Sequence, residues 1–115
     1  MKDWTQIKER YLRDDLSVRL GGLAANLSRI RSFSTNEANR DVVESLIDES
    51  KMFIEWTAAQ VEVNNAEKLV ELQIQLAFWQ LQWSKIWPDA SGRTQISEQS
   101  GLWSIQILEM SGLLK

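Results

Sequence analysis

Glu44, Asp48 and Glu55 are the residues whose side chains could do chemistry most directly, as ligands of a divalent metal or as an acid and a base. The sequence contains neither histidine nor cysteine. A Glu-x-x-His di-iron site, a thiolate site and a Ser–His–Asp triad are therefore excluded. Lys51 precedes Glu55 by four residues, a pairing typical of a solvated helix face. We predict a protein that is not an enzyme, with no catalytic residue, no metal and no cofactor.

Tryptophan is the second conspicuous residue type, with six copies in 115 residues. Trp79, Trp83 and Trp87 are spaced four residues apart, which places them on one face of a helix. Such a ladder fills a core, with the indole N–H groups reaching its edge. Alternatively, part of it forms a partner-binding surface, because tryptophan is enriched at binding hot spots, or lines a ligand pocket.

Phe78 lies within the polar stripe of the same helix, where its spacing predicts that it faces outward. The helix is thus apolar around most of its circumference, which indicates burial on more than one side. We predict that the surplus apolar surface binds a second copy of the chain, forming a homodimer, or binds another protein. The candidate interaction surface consists of Val70, Ile74, Phe78, Leu81 and Trp87.

A second candidate contact lies at the N-terminus, where apolar residues alternate with basic ones between positions 2 and 13. Its candidate contact residues are Trp4, Ile7 and Tyr11. Basic residues beside tryptophan are typical of interfacial membrane helices. The alternative is that this segment packs on the rest of the domain.

Four helices would position these residues. The periodicity predicts helices over 2–33, 36–61, 65–87 and 93–111, the first with a break near Asp14 as one alternative. Ser34 and Glu37 have the spacing of a capping box, and Asn64 and Asn65 indicate another helix start. Pro88 ends the third helix, and Gly112 predicts a left-handed C-cap. Short connections predict an all-α, up-down antiparallel four-helix bundle, with residues 1–115 as one domain.

The net charge of −3 argues against nucleic-acid binding, which needs a basic surface. No apolar run follows the first residues, so no secretory signal is expected. The uncharged stretch 72–84 is too short to span a bilayer. We expect a soluble cytoplasmic protein.

Two long segments, YLRDDLSVRLGGLAANL at 11–27 and LIDESKMFIEWTA at 46–58, resemble a family of small uncharacterised cyanobacterial proteins. The resemblance implies a cytoplasmic all-α protein and brings no functional residues with it. From the residues themselves we predict a small interaction or adaptor protein that self-associates. The alternatives are a peripheral membrane protein and a small ligand-binding bundle.

Overall fold

Long periodic segments with few glycines and one proline fold into helices throughout the part of the chain that the structure describes, residues 2–113 of a computed structural model. Six α-helices and no strand occur within this range. They are α1 (Trp4–Arg13), α2 (Leu16–Phe33), α3 (Arg40–Thr57), α4 (Val63–Leu81), α5 (Trp83–Ile86) and α6 (Ala90–Ser111). Turns of 3-10 helix, Glu37–Asn39 and Ala58–Gln60, flank α3. The all-α prediction is confirmed, whereas the first and third predicted helices are each divided in two. The predicted domain, residues 1–115, includes Met1, Leu114 and Lys115, which lie outside the described residues.

The break between α1 and α2 falls where the sequence placed it. Asp14 and Asp15 are both extended, with ψ of 153° and 158°. Arg19 stabilises the break, because its guanidinium donates to the carbonyl oxygens of Asp14 at 2.8 Å and Leu12 at 3.1 Å. These carbonyls at the end of α1 would otherwise lack a partner.

Two predicted caps are wrong. The Ser34 hydroxyl donates to the Ile30 carbonyl at 2.6 Å, so Ser34 ends α2 and forms no capping box with Glu37. Asn36 caps the following turn instead, accepting from the Ala38 amide at 2.9 Å. Helix α4 begins before Asn64, at Val63.

The third predicted helix ends at Leu81, because Gln82 leaves helical geometry at ψ 12°. The short helix α5 follows. Asp89 then caps α6, which begins at Ala90, three residues before its predicted start at 93. A Cβ on Gly92 would collide with the carbonyl oxygen of Ile86, so only glycine fits where α6 approaches α5. The predicted left-handed C-cap at Gly112 is confirmed, with φ 77°.

Helix α2 lies between α3 and α6. The Ser97 hydroxyl donates to the Arg31 carbonyl at 2.9 Å and the Ser104 hydroxyl to the Ala24 carbonyl at 2.8 Å, so α2 and α6 run antiparallel. Helices α3 and α4 also run antiparallel, since the Lys51 carbonyl accepts from Gln73 and the Asp48 carboxylate accepts from Gln80.

The core forms where the apolar faces of all six helices meet. Its most completely buried large side chains are Leu23, Leu27, Ile30, Ile47, Ile54, Leu69, Leu72, Leu76, Trp87, Ile96 and Ile107. On α6, Ile96 and Ile107 are buried, while Trp103 and Met110 pack against the core half-buried.

Candidate interaction surface

Helix α4 is apolar on two opposite sides. Leu69, Leu72 and Leu76 are fully buried against the rest of the protein, and Trp79 is nearly so. The outer side carries exposed apolar residues over the whole length of the helix, about 27 Å at 1.5 Å per residue. We call this outer row the α4 seam; it consists of Val63, Val70, Ile74, Ala77, Phe78 and Leu81.

The α4 seam has the spacing of a coiled-coil contact. Val70, Ile74, Ala77 and Leu81 follow one another at four, three and four residues, and Val63 lies seven residues before Val70. This repeat keeps a row of side chains facing a partner helix. A row of that length, with every member accessible in the single chain, is more than scattered surface apolarity accounts for.

Four of the five predicted surface residues lie in the seam, with exposed fractions of 46% at Val70, 65% at Ile74, 53% at Phe78 and 81% at Leu81. Trp87 was predicted to join them, and this is wrong: it is 2% exposed. Trp87 follows Trp83 by one helical turn, its amide donating to the Trp83 carbonyl at 3.0 Å, so the two rings stack inside the core with centroids 4.9 Å apart. Its indole N–H donates to the Glu37 carbonyl at 2.9 Å.

Val63 and Ala77 are seam residues that the sequence analysis missed. Both are exposed, Val63 at 73%. The signal was present, since Val63, Val70 and Ala77 repeat every seven residues. It was hidden because the predicted helix began at Asn65, which left Val63 outside.

The first turns of α4 border an apolar groove. A cavity of about 590 Å³ lies between the turn Ala58–Gln60 and α4, and its lining includes Ala58, Val61, Ala66 and the seam residues Val63 and Val70. The apolar surface of the seam therefore widens at this end.

The polar borders of the seam differ. On one side Gln73 and Gln80 are engaged by α3, the latter accepting from the Lys51 ammonium at 2.7 Å. On the other side Lys68 and Glu71 are exposed. Glu67 interrupts the seam itself, because it occupies a position between Val63 and Val70 where the repeat predicts an apolar residue.

The N-terminal candidate residues turn inward. Tyr11 is buried, its ring stacks on Phe53 at 4.0 Å, and its hydroxyl lies 2.9 Å from the Thr57 hydroxyl. Trp4 packs edge-on against Trp56 with ring centroids 6.3 Å apart, and Ile7 is half-buried against the core. The apolar face of α1 thus lies against α3, as in the packing alternative.

The three tryptophans that are spaced four residues apart belong to the core. Trp79, Trp83 and Trp87 are all buried, as the core interpretation predicts. They do not share one helix, because the break at Gln82 separates Trp79 from the other two.

Two of the candidate carboxylates, Glu44 and Asp48, line one groove beside Asp41, and Glu55 does not. Glu44 lies 3.5 Å from Arg40, Asp48 accepts from Gln80, and Glu55 is exposed on its own. Across residues 2–113 no three acidic side chains come together as a metal site would require. Within the same residues no helix combines the length and the apolarity that crossing a membrane requires.

The sequence matches no protein-family model, and no curated protein or solved structure is significantly similar to it. The resemblance to cyanobacterial proteins therefore stays a prediction.

Proposed function

We propose that this protein is a small interaction protein that self-associates through the α4 seam. The observation that carries the proposal is the second apolar side of α4, which nothing in residues 2–113 covers. Covering such a row with a second copy removes apolar area from water, the main favourable contribution to association. In the same proposal, the four long helices α2, α3, α4 and α6 form an up-down bundle that holds the seam straight.

The position of Glu67 favours an antiparallel pair. If two copies ran parallel in register, each Glu67 carboxylate would face its counterpart inside the seam, and like charges would repel. In an antiparallel pair with its twofold axis at Ile74, Val70 lies opposite Phe78 and Glu67 opposite Leu81. Each Glu67 then lies near one end of the seam, away from the Glu67 of the second copy.

Light scattering after size exclusion tests the self-association. We expect a particle of twice the 13.3 kDa chain mass for the unaltered protein. Ile74→Glu should convert it to a monomer, because the twofold axis would then hold two carboxylates. Val42→Glu is the matched control, since Val42 is exposed on α3 and away from the seam. A monomer at all concentrations for the unaltered protein would overturn the proposal.

Disulfide trapping tests the orientation, and the cysteine-free sequence gives no background. A mixture of the Val70→Cys and Phe78→Cys proteins should form mixed disulfide dimers if the pair is antiparallel. Glu67→Cys should cross-link to itself only if the pair is parallel. Efficient cross-linking of Glu67→Cys, without mixed dimers, would contradict the antiparallel arrangement.

A further inference from the structure

A groove on the other side of the molecule lies between α1, α2 and α3. Its volume is about 330 Å³, at the lower end of the range for small-molecule sites. The stacked rings of Tyr11 and Phe53 line it from α1 and α3, and Val18, Gly22 and Ala25 line it from α2. Neither α4 nor α6 contributes a residue, so the groove is separate from the α4 seam.

Gly22 lies in the lining of this groove, and the packing of the protein does not require a glycine at this position. A Cβ at Gly21 would lie 2.8 Å from Leu113, and one at Gly101 would lie 2.9 Å from Arg31. A Cβ at Gly22 would meet nothing closer than the Tyr11 ring at 4.0 Å. Glycine weakens a helix interior, yet among residues 2–113 only the edge of the Tyr11 ring reaches this space. The space is therefore available to a ligand.

Two arginines from different helices border the same groove. Arg10 on α1 and Arg29 on α2 form no ion pair with any residue between 2 and 113. The Arg29 guanidinium is held in place by the Asn26 side-chain oxygen at 2.7 Å.

The carboxylates in the groove leave positive charge unmatched. Glu49 is already engaged, since it accepts from the Asn26 amide at 3.2 Å and lies 3.7 Å from the Lys2 ammonium. Asp14 is the other carboxylate in the lining, so two guanidinium groups stand against one unpaired carboxylate.

We propose that this groove binds a small organic anion, whose carboxylate or phosphate lies between Arg10 and Arg29 and whose apolar body covers Gly22 and Ala25. Guanidinium groups bind both kinds of oxyanion through paired N–H donors. The aromatic and small residues of the lining provide the apolar contact, and the glycine leaves the room for it.

Three probes distinguish an organic carboxylate, an organic phosphate and a free inorganic anion as the ligand of this groove. Hexanoate, hexyl phosphate and inorganic phosphate are titrated into the full chain while backbone amide resonances are followed. We expect saturable shifts at Gly22 and Ala25 with hexanoate or hexyl phosphate, and at least tenfold weaker binding of inorganic phosphate, which lacks an apolar body. Equal binding of all three would reduce the site to general anion attraction and overturn the proposal, as would no saturable binding by any of them.

Three variants test the named residues. Arg10→Gln and Arg29→Gln should each weaken binding at least tenfold, whereas Arg13→Gln, an exposed change on the same helix as Arg10, should not. Gly22→Met should fill the groove, abolish binding and leave the melting temperature unchanged or higher. Unchanged affinity in both groove-arginine variants, or unfolding of Gly22→Met, would contradict the proposal. Because the α4 seam is remote, Ile74→Glu should bind the probes normally.

Discussion

Tyr11 shows how one side chain joins three helices. Its hydroxyl lies 2.9 Å from the Thr57 hydroxyl of α3 and donates toward the Arg19 carbonyl of α2 at 3.1 Å. Burial, opposed by the hydrogen bond to Thr57, raises the pKa of Tyr11 to about 12 from the usual 10.0. The folded protein therefore favours the neutral phenol of Tyr11 over the tyrosinate.

A pH dependence follows from that pKa. Because the folded pKa lies above the unfolded one, the stability contributed by Tyr11 is fully present below pH 10.0 and is lost as the pH rises toward about 12. We expect the folded protein to form tyrosinate near pH 12 rather than near pH 10, and its free energy of unfolding to fall over this interval. The chain has one tyrosine, so the signal is unambiguous. Tyr11→Phe should lose this step in the stability profile, and tyrosinate that forms near pH 10 in a folded protein would contradict the prediction.

Two serines of α6 should respond oppositely to the same substitution. The Ser104 hydroxyl donates to the Ala24 carbonyl, so Ser104→Ala should lower the free energy of unfolding by about 1 kcal/mol. The Ser100 hydroxyl is fully buried and has no partner within residues 2–113. Ser100→Ala should therefore raise it, by roughly 0.5–1 kcal/mol. Urea unfolding of both variants measures the difference, and equal losses would refute it.

At the scale of elements, the sequence indicated helices well and their ends poorly. The break at Asp14 was visible because the apolar stripe changes phase there. The break at Gln82 was not, because Leu76, Trp79, Trp83 and Ile86 continue the heptad through it without a glycine or proline. Gln82 nevertheless leaves helical geometry, with φ −101° and ψ 12°, and no residue type in the sequence marks this point.

The glycines of α2 and α6 give a prediction about these elements. Gly92→Ala should destabilise the protein by roughly 1–3 kcal/mol, because the new methyl would displace the Ile86 carbonyl at the α5–α6 corner. Gly22→Ala should stabilise it by up to about 1 kcal/mol, since alanine favours the helix and the space is open. Thermal unfolding compares the two, and a loss of stability in Gly22→Ala would show that the helix needs this glycine.

For the whole molecule, the exposed row on α4 could be predicted because it depends on spacing within one helix. The groove could not, because Arg10, Gly22 and Arg29 come together only once α1 and α2 are folded against α3. The sequence analysis also did not specify the contact of α2 with α6. Its signal was the spacing of the small residues Ser97, Gly101 and Ser104, which lets two backbones approach closely.

Self-association predicts that stability depends on protein concentration. If the folded chain pairs and the unfolded chain does not, mass action raises the melting temperature as concentration increases. We expect this rise for the unaltered protein and for Val42→Glu, and no rise for Ile74→Glu. Calorimetry over a hundredfold range of concentration measures it, and a constant melting temperature for all three would count against pairing.

The place of α6 beside α2 has a consequence for how the chain is made. Ala24 and Ser104, which join the two helices, lie 80 residues apart. A ribosome adding about 5–20 residues per second completes α2 on the order of 4–16 s before its main partner emerges. During translation α2 and α3 can pair first, and the face of α2 that contacts α6 in the finished protein remains exposed to solvent. A nascent chain stalled within α6 should therefore be far more sensitive to protease than the finished protein.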